Sequence, residues 1–105
     1  MMRTVEIFGV KALVASKFFQ RAKGLIGRRS LPRGEGLLIE RCNAIHTFFM
    51  RFPIDAVFLD RRGRVVKTVR NIRPWRFLVW GGWRAVKVLE TAVGGIREDG
   101  SGNKE

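Results

Sequence analysis

The chain has no tyrosine, one cysteine, one histidine and three prolines among its 105 residues. A lone cysteine, Cys42, excludes an intramolecular disulfide and the multi-cysteine zinc frameworks. A lone histidine, His46, leaves any metal site to be completed by Cys42, Glu40, Asp55 or Asp60. These residues form no H-x-x-x-H, C-x-x-C or facial-triad cluster, so neither a metal nor a cofactor is expected. Without tyrosine, the large side chains are chiefly eight phenylalanines and three tryptophans, which suit a core or a greasy loop more than a hydrogen-bonded site. Long apolar runs are also lacking. None approaches the ~18 to 20 residues of a spanning helix, and Glu6 and Lys11 interrupt what would have to be the apolar core of a signal peptide. The expectation is a soluble, unprocessed, cytoplasmic protein.

Acids are scarce: nine against 21 basic residues, a net charge of +12, with 15 arginines to 6 lysines. Such a charge attracts anionic partners, nucleic acid or an anionic surface, although solubility or a hot habitat also produces it. From Arg61 to Leu89 there are nine basic residues and no acid, six of them (Arg61, Arg64, Lys67, Arg70, Arg73 and Arg76) at a spacing of three. On a strand that spacing alternates faces, so it makes a one-sided stripe only where the backbone is irregular.

The length fits one domain, taken as residues 1–96, with 97–105 as a polar, disordered tail. Arg3–Phe8 alternates polar and apolar, Gly9 is a turn residue, and Lys11–Ala15 returns as a second strand. Ser16 then caps a stretch with Phe18, Phe19, Ala22, Leu25 and Ile26 on one face, which predicts a helix over Lys17–Ile26. Residues 28–36 read as loop and Leu37–Glu40 as a buried strand. His46–Met50 reads as a strand that Pro53 interrupts, Ala56–Leu59 resumes it, and Asp60-Arg61-Arg62-Gly63 makes a hairpin turn. Arg64–Ile72 and Ala85–Leu89 add further strands around a Pro/Gly loop from Arg73 to Gly82. The fold class is therefore mainly β: a compact antiparallel barrel or sandwich-like domain with one helix in its N-terminal half.

Several constellations are candidate sites. Cys42 and His46 would form a thiol–imidazole pair only if the chain bent, because four extended residues separate them by about 13 Å. Asp55 sits in apolar company, where an acid needs an arginine partner or a ligand. Asp60 has sufficient reason to exist as a turn former. Trp75, Trp80 and Trp83 alternate with Arg73 and Arg76 in a loop suited to core packing, to stacking on bases or an aromatic ligand, or to an anionic membrane surface.

Taken together, Arg21-x-x-Gly24-Leu25-x-Gly27-Arg28, Gly36-Leu37-Leu38, His46-x-x-Phe49-Met50, Asp55-x-x-Phe58-x-Asp60-x-x-Gly63-x-Val65-Val66 and Val88-Leu89-Glu90-x-x-x-Gly94 resemble the bacterial and archaeal domain of unknown function 192. The resemblance covers roughly residues 4–96, and its most specific part runs from Met50 to Gly63. It implies a compact, mostly β fold and no agreed activity. The chain departs from the pattern in going to Arg97-Glu98-Asp99-Gly100 where members often have a further strand, and the secretion signal that many members carry is not expected here. The resulting expectation is a binding module for an anionic or aromatic partner, with His46, Met50, Asp55, Arg73, Arg76, Trp75, Trp80 and Trp83 as the candidate ligand contacts. The competing readings are a small enzyme with a pocket of His46, Met50 and Asp55, and an accessory domain acting through a protein partner.

Overall fold

Short aliphatic runs punctuated by glycine and aspartate turns form eight strands among the described residues of the computed structural model, which describes residues 3–16, 25, 28–76 and 78–96. They are β1 (Thr4–Ile7), β2 (Val10–Ala15), β3 (Glu35–Glu40), β4 (Ala44–Ile45), β5 (Ile54–Leu59), β6 (Val65–Ile72), β7 (Val79–Trp80) and β8 (Lys87–Ala92). Six make one sheet in the order β1-β2-β3-β8-β5-β6, while β4 and β7 pair as a separate ribbon. The expected β-rich class is what the chain adopts.

The sheet is open. β1 and β6 are its edges, which corrects the barrel alternative; its apolar faces are closed by loops and the β4–β7 ribbon instead of by edge pairing. One pair, β2 with β3, is parallel within an otherwise antiparallel sheet, and a parallel pair needs a long crossover, here residues 16–34. The helix expected over Lys17–Ile26 lies outside the described residues apart from Leu25, which is buried in the core. The tail expected at 97–105 lies outside them as well.

Central position dictates composition. β5 lies between β8 and β6 and buries all six of its residues, so its run IDAVFL is apolar on both faces except at Asp55. Ile54, Ala56 and Phe58 join Leu37, Ile39 and Val88 in one core, which Ile45 and Val79 of the β4–β7 ribbon and Met50 and Ala85 of the loops cover. Val57 and Leu59 join Ala12, Val14, Leu38 and Leu89 in a second core on the opposite face, closed by Ile96.

Turn chemistry sets the register. Phe8 and Gly9 both have positive φ, as a two-residue hairpin between right-twisted strands requires. The β5–β6 hairpin closes through Asp60 N–H to Arg64 O at 2.9 Å and Gly63 N–H to Asp60 O at 3.0 Å, with Gly63 at φ 81°. This is the hairpin expected around Arg61 and Arg62.

Past Ile45 the strand expected over His46–Met50 does not continue. Phe49 has φ 64°, and the Thr47 carbonyl accepts from Met50 N–H at 3.3 Å and from Trp75 N–H at 2.7 Å, so the segment turns. Thr47, fully buried, is the reason: its hydroxyl donates to Arg73 O at 2.7 Å and accepts from Arg76 N–H at 2.8 Å. Satisfying a buried threonine in this way locks two loops together and precludes a straight ladder.

Candidate functional site

Two tight turns face one another at one end of β5. The first is Asp60–Gly63. In the second, Ala85 N–H donates to Gly82 O at 3.2 Å, and Val86 N–H, donating to Leu59 O at 2.8 Å, ties that turn to the first. Residues at the centre of a tight turn project outward, which places Arg61 and Arg62 on one lip and Trp83 and Arg84 on the other. Between them is a cleft of about 600 Å³ lined by these four together with Asp60, Arg64 and Val86.

The electrostatics of the cleft are one-sided. Asp60 is its acid, and its oxygens are already engaged by Arg62 N–H and Arg64 N–H, each at 2.9 Å, and by Arg64 Nε at 3.2 Å. The Arg64 backbone bond above all, then the Arg62 N–H and the Arg64 side chain, hold this carboxyl below its usual range. Asp60 thus spends its charge on the turn. Among the described residues, no carboxylate pairs with Arg61, Arg62 or Arg84.

Trp83 is 85% exposed and meets Trp80 edge-to-face, ring centroids 5.1 Å apart at 84°. Such a contact covers at most one face of either ring. The backbone at Trp80 is anchored, because Lys67 Nζ donates to its carbonyl at 2.8 Å and Gly81 N–H donates to Asn43 O at 2.7 Å.

The other residues singled out in the sequence separate into different environments. Trp75, 58% exposed at φ 71°, packs against Phe49 at 4.8 Å and Phe48 at 6.0 Å, forming an aromatic knob with His46 beside Phe48. Arg73 and Arg76 are exposed on the same loop. His46 is exposed, and its Nδ1 accepts from Phe48 N–H at 3.2 Å. Met50 is buried in the core.

Asp55 is fully buried and saturated: it accepts from Arg70 Nη1 at 3.0 Å, Asn71 N–H at 2.8 Å and Gly94 N–H at 2.8 Å. The hydrogen-bond partners of Asp55 and His46 are thus different, and they do not bond to each other. Cys42 is half-buried, and its Sγ donates to Ala44 O at 3.1 Å. No group of three or more histidine, cysteine or acidic side chains gathers among the described residues. No helix among them is long and apolar enough to cross a membrane.

Two features escaped the sequence reading. The lips of the cleft, Arg61, Arg62, Arg64 and Arg84, were read as a hairpin turn and a basic run but not as a site; the signal lay in pairing the turn Asp60-Arg61-Arg62-Gly63 with the turn Gly82-Trp83-Arg84-Ala85. Glu90 is the other. It is 3% exposed at the middle of β8, flanked across the sheet by Leu37 and Ala56, and burial pushes its carboxyl up to about 8.

Comparison with known proteins agrees with this architecture. The model of the family DUF192, described as Uncharacterized ACR, COG1430, matches residues 3–102. A UPF0127 protein of Thermococcus sibiricus is 39% identical over 95 residues, covering 87% of this chain and 60% of that protein. A UPF0127 protein of Pyrococcus horikoshii is 41% identical over 71 residues, covering 63% and 59% respectively. The chain therefore spans about 60% of the length of these curated relatives. A crystal structure of a protein of unknown function from Novosphingobium aromaticivorans superposes with a TM-score of 0.78 at 22% identity, over 89% of this chain and 74% of that one. At that identity the superposition speaks for the fold alone.

Proposed function

The chain belongs to DUF192, a family whose description carries no activity to inherit, and we propose from the geometry above that it is a binding module for an anionic ligand seated between the Asp60–Gly63 turn and the Trp83 loop. One observation carries the reading: a 600 Å³ cleft, within the size range of small-ligand sites, presents four arginines and a single acid whose oxygens are already bonded. Guanidinium forks recognise phosphate and carboxylate oxygens in pairs, and three of these four arginines have no internal carboxylate to satisfy them among the described residues. A net charge of +12 adds long-range attraction.

A cytoplasmic setting belongs to the same proposal and rests on the single cysteine and the absence of a spanning segment among the described residues. The enzyme reading draws less support. Met50 lies in the core, and Asp55 is committed to Arg70 and two backbone donors.

Calorimetric titration with inorganic tripolyphosphate at 50 and 200 mM salt tests the proposal. Displaced counterions make such binding weaken steeply with salt, and Arg61→Ala combined with Arg84→Ala is expected to reduce affinity by tenfold or more with unchanged melting. No heat of binding to wild type at low salt, or equal affinity in the double variant, removes the reading.

A further inference from the structure

We infer that the ligand of this cleft is a nucleobase carried on a phosphate, with the phosphate between the arginines and the base stacked on Trp83. The inference rests on the anion-binding reading but adds a second, separable contact. Trp83, 85% exposed, and Trp80, 42% exposed, touch one another as a contiguous uncovered aromatic surface, and Trp83 lines the same cleft as the guanidinium groups. Trp80 meets Trp83 edge-to-face at 5.1 Å, and Lys67 Nζ anchors the Trp80 main chain through its carbonyl, so one face of the Trp83 ring stays open beside a held backbone. An open aromatic face beside a cluster of arginines is how proteins hold a base and its phosphate without reading sequence. A purely inorganic anion would use the arginines and leave the indole idle.

A free nucleotide and a nucleotide unit within a single strand share this chemistry, and the experiment separates them. Tripolyphosphate, ATP and a ten-nucleotide deoxythymidine strand are titrated against the full chain and against Trp83→Ala and Trp83→Phe, following tryptophan fluorescence and heat. ATP is expected to bind roughly tenfold tighter than tripolyphosphate and to quench fluorescence, an increment lost in Trp83→Ala and partly kept in Trp83→Phe.

Tighter binding of the strand than of ATP assigns the ligand to single-stranded nucleic acid; the reverse assigns it to free nucleotides. Equal affinities for tripolyphosphate and ATP overturn the stacking inference and leave the anion reading in place. Trp83-dependent binding of ATP without binding of tripolyphosphate upholds the stacked base alone and overturns the phosphate contact together with the anion reading. Failure of all three probes removes both. Because Trp83 is so exposed, the variants are expected to melt with wild type, and a shared melting temperature establishes that any lost binding is local.

Discussion

Gly81 lies directly against the ring of Phe58: a Cβ at Gly81 would stand 2.1 Å from Phe58 Cδ1 and 2.3 Å from Cγ. No side chain fits there. Phe58 is fully buried near the end of β5, so the ring cannot withdraw, and the segment carrying Trp80 and Trp83 descends onto the sheet at this contact. Gly81→Ala is therefore expected to cost on the order of 1–3 kcal/mol by overpacking, and more if the loop lifts. Urea denaturation measures the cost. Lifting of the loop would also appear as changed tryptophan fluorescence, since the Trp80–Trp83 pair begins one residue away.

Thr47 offers a test of how the other loop is held. Its buried hydroxyl bridges Arg73 O and Arg76 N–H, and valine has the same shape without either bond. Thr47→Val is expected to destabilise by about 1–3 kcal/mol, the cost of leaving buried backbone groups unsatisfied, whereas Thr47→Ser retains most of the stability. Equal losses in the two variants would show that the methyl group, not the hydroxyl, is what matters.

How far the sequence was legible follows from where the controlling forces act. The β1–β2 and β5–β6 hairpins could be read because their signals are local: alternation, then a glycine able to take positive φ. His46–Met50 misled because its aromatic composition suits a strand, while its conformation is set by Thr47 bonding residues 26 and 29 positions away. Asp55 was correctly suspected of needing a partner, and Arg70 supplies it from the neighbouring strand. The cleft was not legible as a site. Its two lips are turns more than twenty residues apart, and only the pairing of β5 with β8 brings them together.

Asp55 and Glu40 illustrate how burial decides the worth of an ion pair. Asp55 is fully buried against a part-buried Arg70, whereas Arg3 and Glu40 pair at 3.0 Å with Arg3 largely in solvent. Asp55→Ala is expected to cost ~3–5 kcal/mol, since it removes the carboxylate partner of Arg70 and leaves the Asn71 and Gly94 N–H groups without their acceptor. Glu40→Ala should fall within about 0–1 kcal/mol. Chemical denaturation of the two variants checks the ranking. A small cost at Asp55 combined with lost ligand binding would instead make it a contact residue.

Glu90 predicts a pH dependence whose sign is fixed by its surroundings. Its carboxyl sits at the middle of the sheet beside Leu37 and Ala56, with no hydrogen bond or ion pair to it among the described residues, and burial raises it from 4.5 to about 8. The folded protein therefore holds this proton over a pH range in which the unfolded chain has released it. Stability from the neutral carboxyl is fully present below about pH 4.5 and is lost as pH rises through the window to about 8, after which the loss is constant. The size of the effect is on the order of a few kcal/mol. Glutamine cannot ionise, so Glu90→Gln should abolish this component, and the difference in unfolding free energy between the two proteins should grow in the variant's favour from pH 5 to pH 8. Taking the difference cancels the other titrating groups, which both proteins share. Urea denaturation at pH 5, 6.5, 8 and 9 gives the curve, and parallel profiles for wild type and Glu90→Gln would mean that Glu90 is ionised in the folded state and has found a partner for its charge.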